Sequence, residues 1–201
     1  MPARNDHLRR RVALEAARLI SEHGLRDFHA AKRKAAERLD IRDEAGLPKN
    51  SEVEEALREH QRLFHGDDQP RRLRALREAA CEAMRYFARF EPRLVGPVLD
   101  GTADTHSAVC LHLFCDTIES VIVTLNDDGV NFEEDSRRLR LDTQRSADFP
   151  VLRIRQAGVE FDLTLLPLDA IRQAPLDRGG ERPLQRAALS AVEKLLRDTE
   201  T

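Results

Sequence analysis

The sequence contains no tryptophan, and only 4% of its 201 residues are aromatic. Proteins that hold single-stranded nucleic acid use aromatic rings as stacking platforms, so this scarcity argues against nucleic acid as a partner. Long apolar runs are missing as well. None approaches the ~20 residues that a transmembrane helix needs, and we expect no membrane association. The basic start, MPARNDHLRRR, leads into an amphipathic pattern and does not resemble a signal peptide.

Cysteine is scarce too, since only Cys81, Cys110 and Cys115 occur. An odd number of cysteines without a framework spacing is typical of reduced thiols in a cytosol. Together with the missing signal-peptide pattern, it predicts a cytoplasmic protein. The formal net charge of −3 argues against a general polyanion binder.

The first 90 residues carry the spacing of about four helices. Apolar residues recur at helical intervals from residue 6 to 23. Asp27 is placed to cap a second helix, and Ser51 with Glu54 forms a capping box for a third. Pro70 is placed to open a fourth helix, because proline is tolerated in a first helical turn.

After residue 90 the pattern changes to short strands mixed with helices. It predicts an α+β protein, in which a helical region (residues 1–90) packs on a small mixed-sheet domain (residues 91–201). The last strands form a hairpin that turns at Gln156-Ala157-Gly158. The predicted elements of this half are strands at 93–99, 107–114 and 136–142, a helix at 115–129, the hairpin at 149–167 and a C-terminal helix at 184–196.

One segment of the second half, GPVLDGTADTHSAVCLHLF, has a spacing that suggests chemistry. Gly96 and Gly101 come before a loop rich in Thr, Ser and His, and an apolar strand follows. A glycine turn lets backbone N–H groups approach a phosphate. Carboxylates at positions i and i+2 of the strand would point the same way and hold Mg²⁺.

In spacing and strand order, residues 89–168 resemble the polymerase-beta-like nucleotidyltransferase superfamily. Gly96 matches the first glycine of the family pattern, and Pro97 stands where a Ser or Gly is usual. Gly101 matches a loop glycine, and Ser107 matches the serine before the first acid. The resemblance implies a nucleotidyltransferase-like fold for this half of the chain.

The resemblance also implies a site. Asp162 matches the acid of the later strand and would be the catalytic residue and a metal ligand, with Asp104 as a second candidate ligand. Mg²⁺ and a nucleoside triphosphate would be the cofactors if the family site is retained. Ala108 and Cys110 replace the other two acids, and neither can ligate Mg²⁺, which binds oxygen. We therefore expect a catalytically impaired homologue.

Such a homologue would still bind a nucleotide or another phosphate, or act as a regulatory partner. The candidate phosphate-binding residues are Gly96, Gly101, Thr102 and Ser107. A structural interpretation stands beside this one. A glycine turn between strands is common in domains that bind nothing, and Asp162 would then pair with Arg153 or Arg155 across the hairpin.

Two further interpretations involve other residues. His106, Cys110 and His112 offer nitrogen and sulfur ligands for Zn²⁺, although cysteine is more often a small core residue. The segment ALEAARLISEHGLRDFHAAKRKAAERLDI superficially resembles the start of a TetR-type DNA-binding domain, with the basic cluster Lys32-Arg33-Lys34. A solvated helix face explains that cluster more simply.

The last alternative is a protein-interaction module in which the sheet is only a scaffold. The amphipathic helices offer surfaces for a homo-oligomer or for a protein partner. Tyr86, Phe87 and Phe90 concentrate aromatic area in RYFARFEPRLVG. We expect this cluster to be buried within the chain, because aromatic side chains most often belong to a core.

Overall fold

The structure is a computed structural model that describes residues 2–23, 25, 27–41, 47–64, 68–104, 106–142, 144–177 and 182–198. The chain divides into two compact units. One consists of Met1–Arg72 with Thr102–His106, and the other of Leu73–Gly101 with Ser107–Thr201. The division falls inside the fourth helix, and a domain boundary near residue 90 stays a prediction.

Helices account for most of the first 90 residues, as predicted. They are α1 (Pro2–His23), α2 (Phe28–Arg38), α3 (Asn50–Phe64) and α4 (Asp68–Tyr86). The core of the first unit is built from one apolar face of each of its first three helices. It includes Val12, Ala16, Leu19, Phe28, Ala31, Val53 and Leu57.

The helix starts confirm one predicted cap and correct another. The Asp27 side chain accepts a hydrogen bond from the backbone N–H of His29 at 2.8 Å, as an N-cap residue does. The predicted box at Ser51 is wrong, because α3 begins at Asn50. There the backbone N–H of Lys49 donates to the Glu52 carboxylate at 2.6 Å, which is the carboxylate half of a capping box placed two residues earlier than predicted. Pro70 lies in the first turn of α4.

The second unit contains a five-stranded mixed sheet in the order β1-β2-β5-β4-β3. β2 and β5 are parallel, and the other neighbours are antiparallel. The fold is therefore α+β, as the sequence predicts. The strands are β1 (Arg93–Val95), β2 (Val109–Phe114), β3 (Phe132–Arg140), β4 (Ser146–Gln156) and β5 (Val159–Leu166), and the helices are α5 (Pro97–Asp100), α6 (Ile118–Asp127) and α7 (Leu189–Asp198).

Several predicted elements of this unit have different bounds. The strand predicted for 136–142 is β3, which begins four residues earlier, at Phe132, and ends at Arg140. The strand predicted for 93–99 ends at Val95, because Gly96 has φ +71° and ψ −153° and Pro97 begins the helical turn α5. That backbone conformation is open to glycine alone. The C-terminal helix begins at Leu189, not at residue 184. Just before it, Ala187 pairs with Leu94 through two backbone hydrogen bonds of 2.9 Å.

The hairpin of β4 and β5 turns at Ala157-Gly158, which confirms the predicted turn. Both residues have positive φ, +49° and +80°, as a two-residue type I′ turn requires. α6 spans Ile118–Asp127, within the helix predicted for 115–129, and Gly129 after it has φ +66°. No helix in the described part of the chain is both long enough and apolar enough to cross a membrane.

Candidate functional site

One face of the sheet concentrates polar side chains on its two central strands. In the parallel pair, Cys110 of β2 lies opposite Asp162 of β5, and His112 lies opposite Thr164. Directly paired residues point to the same face, so these four side chains form one patch. The next strand places Arg153 beside Asp162. We call this surface the polar face, and Cys110 and Asp162 stand next to each other on it.

Two arginines hold the Asp162 carboxylate, which is 4% exposed. Arg137 Nη2 lies 2.7 Å from Oδ2, and Arg153 Nε lies 3.7 Å from Oδ1. The pairing with Arg153 confirms one of the two predicted hairpin pairs. Arg155 pairs with Glu160 instead, at 2.8 Å. Arg137 is thus the direct partner of Asp162, and Arg153, which also pairs with Asp135, adds a second positive charge nearby.

Arg137 was not predicted as a partner of Asp162. It lies on β3, two strands away from β5, and its side chain reaches across β4. The same side chain approaches the Thr164 hydroxyl at 3.5 Å. The sequence gives the hairpin register but not the position of β3 beside it. Only the order of the sheet brings Arg137 to Asp162.

His112 is a buried histidine in a positively charged environment. Burial first, and then the nearby cations Arg186 and Arg137, together lower its pKa from 6.5 to about 3. The ring is therefore neutral at physiological pH. Its Nδ1 atom is buried and has no hydrogen-bond partner.

Arg186 is a second buried group that the sequence did not point to. The Ala187–Leu94 pairing places Arg186 beside the edge strand β1. Its Nη1 donates to the Ala170 carbonyl at 2.7 Å, and its guanidinium lies 5.1 Å from the centre of the Phe114 ring. Burial, and secondarily Arg93, lowers its pKa to about 10.

The remaining donors of Arg186, Nε and Nη2, are buried and have no hydrogen-bond partner. These two N–H groups are parallel and form the edge of the guanidinium that binds carboxylates and phosphates in bidentate fashion. The structure therefore leaves two buried guanidinium donors unpaired, near enough to His112 to act on its pKa.

The glycine turn before β2 is closed by its own backbone. Gly101 donates to the Pro97 carbonyl, and Asp100 donates to the Gly96 carbonyl at 2.9 Å. Arg77 Nε donates to the Val98 carbonyl at 3.2 Å. The N–H of Gly101 is thus used within the turn, and sequence reasoning missed Arg77, which lies on distant α4.

The other predicted phosphate and metal residues are divided between the two units. Thr102, Asp104 and His106 belong to the first unit, and Ser107 to the second. Thr102 is buried, and the Asp104 carboxylate accepts a hydrogen bond from the backbone N–H of His106 at 2.8 Å. That bond forms a local Asx turn, so the presence of an aspartate in this loop is explained without a bound ligand. The proposed binding roles of these residues stay predictions.

The donor set around Asp162 does not fit Mg²⁺. Mg²⁺ prefers oxygen ligands in octahedral geometry, whereas Asp162 is beside a thiol and two cations. Within the described ranges, no three or more His, Cys, Asp and Glu side chains are grouped as a metal site. Cys110 and His112 lie on the same face of β2, and the predicted Zn²⁺ site with His106 stays a prediction.

The helical unit shows how its basic cluster is used. α2 is continuous from Phe28 to Arg38, whereas a helix-turn-helix needs a turn between two short helices. Lys32 Nζ donates to the Pro48 carbonyl at 3.2 Å, so one of the three basic groups is tied to its own unit. Arg33 and Lys34 are exposed.

The aromatic cluster packs within the second unit. Phe87 and Phe90 are buried, and Phe87 meets the Tyr86 ring edge-to-face at 4.7 Å. The Tyr86 hydroxyl donates to Asp128 at 2.5 Å. Burial and this hydrogen bond raise the pKa of Tyr86 to about 12. The two phenylalanines are buried as expected, whereas Tyr86 is 43% exposed, so the expectation of burial is wrong for Tyr86.

The chain shows no significant match to a protein-family model, to a curated protein or to a solved structure. Family membership is therefore not shown. The function has to be argued from the polar face and from the groups around it.

Proposed function

We propose that this chain is a nucleotidyltransferase-like protein that has lost Mg²⁺-dependent transfer and binds a nucleotide or another phosphate without turning it over. The observation that carries the proposal is the state of Asp162. It is the one carboxylate left of the pattern that the sequence resembles, and Arg137 and Arg153 neutralise it.

The strand register supports the catalytic half of the proposal. The pattern requires the second strand acid to lie beside the later acid, and Cys110 lies directly opposite Asp162 in the parallel pair. A carboxylate at that position would complete a divalent-cation site. The thiol does not, and the guanidinium groups supply the positive charge that a metal ion would otherwise bring.

The electrostatics of the polar face support the binding half. Burial keeps His112 in its neutral form, and the positive charges of Arg186 and Arg137 lower its pKa in the same direction. The unpaired Nε and Nη2 of Arg186 require an acceptor, because buried unpaired donors cost about 1–3 kcal/mol each. A phosphate oxygen pair would satisfy both donors.

Thermal unfolding with each nucleoside triphosphate, with and without Mg²⁺ or Mn²⁺, tests the proposal. A ligand that binds the native state raises the unfolding temperature by mass action. We expect at least one triphosphate to stabilise the protein to the same extent without metal. Arg186→Gln should remove that shift. Arg33→Gln, which changes an exposed arginine of the first unit, should leave it intact.

Turnover is measured under the same conditions by release of pyrophosphate. We expect none above background with any triphosphate and either metal. Robust Mg²⁺-dependent turnover would refute the loss of catalysis. A flat thermal response to all nucleotides and to inorganic phosphate would refute the binding role.

A further inference from the structure

The edge strand β3 presents free backbone groups at one side of the sheet. Its nine residues pair with β4, and β3 has no second strand neighbour among the described residues. Leu141 donates toward the β4 side, to Arg145, whereas the carbonyl of Arg140 accepts from Leu176 on the outer side. Backbone groups alternate along a strand. Glu134, Ser136 and Arg138 therefore direct their N–H and C=O groups outward.

The charges of this strand change sign at Ser136. The segment reads FEEDSRRLR, with acids before the serine and bases after it. Apart from Arg137 and Leu139, all residues from Glu133 to Arg140 are exposed. Edge strands commonly carry charged side chains that block pairing with another strand. That purpose does not require all acids to precede all bases, as they do here. Opposite signs on the two sides of a central residue are what antiparallel self-pairing needs.

We propose that β3 pairs with β3 of a second copy of this chain, antiparallel about a two-fold axis at Ser136, and joins two sheets into one of ten strands. In this register Glu134 lies opposite Arg138, and Asp135 lies opposite Arg137, on both sides of the axis. The Glu134–Arg138 pairs, one on each side of the axis, supply the new ion pairs, since cross-strand pairs of opposite charge stabilise a sheet. Within each copy Arg137 already binds Asp162 and Asp135 already pairs with Arg153, so the Asp135–Arg137 positions add only the absence of like-charge repulsion.

The neighbouring registers are disfavoured by charge. An axis at Asp135 places two aspartates directly opposite each other, and an axis at Arg137 does the same with two arginines. Like charges in direct opposition destabilise a strand pair. Axes between two residues would match outward-facing with inward-facing backbone groups and lose the hydrogen bonds. Ser136 is thus the axis that satisfies both charge and backbone.

The length of the free edge limits the strength of this dimer. The Arg140 carbonyl is already bonded to Leu176 at 2.7 Å, so pairing extends no further than that residue. A single short strand pair buries less than a standard interface does. We therefore expect a concentration-dependent dimer that weakens with salt, since exposed ion pairs are screened.

Charge exchange tests the pairing. Glu134→Arg and Arg138→Glu, each alone, place like charges opposite each other and should raise the dimer dissociation constant at least about tenfold, measured by sedimentation equilibrium. Mixing the two variants restores opposite charges at every pair. The mixture should form a heterodimer with an affinity close to that of the unmodified chain. The double variant should dimerise on its own.

Two controls and a second measurement complete the test. Glu55→Arg and Arg33→Glu change exposed charges on helices of the first unit and should not alter dimerisation. In amide hydrogen exchange, Glu134, Ser136 and Arg138 should gain protection as concentration rises, whereas Asp135 and Arg137 are protected throughout by β4. A chain that stays monomeric at every concentration, or a dimer that both single variants leave intact, would overturn the proposal.

Discussion

Buried charge controls the chemistry of single residues in this protein, and Asp162 is the main case. Its carboxylate is almost inaccessible, and its two partners, Arg137 and Arg153, are about one-third and one-half exposed. Such an ion pair needs both charged groups, because removal of either one leaves a buried charge without a partner.

The hairpin sequence alone indicated Arg153, since cross-strand neighbours follow from the turn. Arg137 could not be predicted, because its strand is placed by long-range pairing.

Asp162→Asn tests this account of the carboxylate. We expect the free energy of unfolding to fall by about 2 kcal/mol, less than for a fully buried pair because both arginines reach solvent. Urea unfolding measures the change. Glu160→Gln is the control, since it neutralises an exposed carboxylate that pairs with Arg155, and it should cost less than about 0.5 kcal/mol. Equal effects of the two substitutions would contradict the role given to Asp162.

Because His112 is buried in its neutral form, we expect the folded chain to lose stability at acid pH. Its pKa in the folded chain, about 3, lies below the ordinary value of 6.5, so the unfolded chain binds more protons between these two values. Stability is therefore present above pH 6.5 and is lost as the pH falls toward 3, with a slope of about 1.4 kcal/mol per pH unit for one proton. Unfolding by urea at a series of pH values measures the slope.

The matched variants separate His112 from other acid-sensitive groups. His112→Gln removes the titrating ring, and the loss of stability between pH 6.5 and 4 should become shallower by up to that slope. His29→Gln changes an exposed histidine of the first unit and should keep the original dependence. An unchanged slope in His112→Gln would show that the ring already carries its proton in the folded state.

At the scale of elements, local signals predict starts and stops where a side chain or a backbone angle acts directly. Asp27 caps α2, and the glycines at 129 and 158 adopt the positive φ that their turns require. These local signals fail where a residue pairs with a segment that is distant in sequence. Residues 184–188 have helical spacing, yet Ala187 pairs with Leu94 and delays α7 to Leu189. Helical periodicity cannot register a partner strand ninety positions earlier in the chain.

The hairpin turn offers a stabilising substitution. Ala157 has φ +49°, a region that an alanine adopts at a cost of roughly 1–2 kcal/mol and that asparagine tolerates better. We expect Ala157→Asn to raise the free energy of unfolding by roughly 0.5–1 kcal/mol and the unfolding temperature by about 2 °C. Gly158→Ala, at φ +80°, should have the opposite effect. Calorimetry of the three chains decides, and a loss of stability in Ala157→Asn would contradict a type I′ turn.

At the scale of the whole molecule, the fold class could be predicted and the candidate site only in part. The change from helical to strand spacing near residue 90 is enough to indicate an α+β protein, because each period reflects one buried face. The family resemblance assigned Cys110 and Asp162 to two acid positions of one site, and the structure pairs them directly. It could not indicate Arg186 or Arg77, because nothing in a local pattern distinguishes a buried arginine from an exposed one.

The three cysteines give a measure of the whole folded state. Cys81 and Cys115 are buried, and burial raises the pKa of both thiols, whereas Cys110 is half-buried beside the glycine turn. The thiolate is the reactive form, so native protein should react with a disulfide reagent in one fast phase of one thiol and a slow phase of two. Cys110→Ser should remove the fast phase alone. In denaturant all three thiols should react together. A fast phase that survives Cys110→Ser would mean that the second unit opens readily enough to expose Cys81 or Cys115, and that its sheet is less stable than its buried core implies.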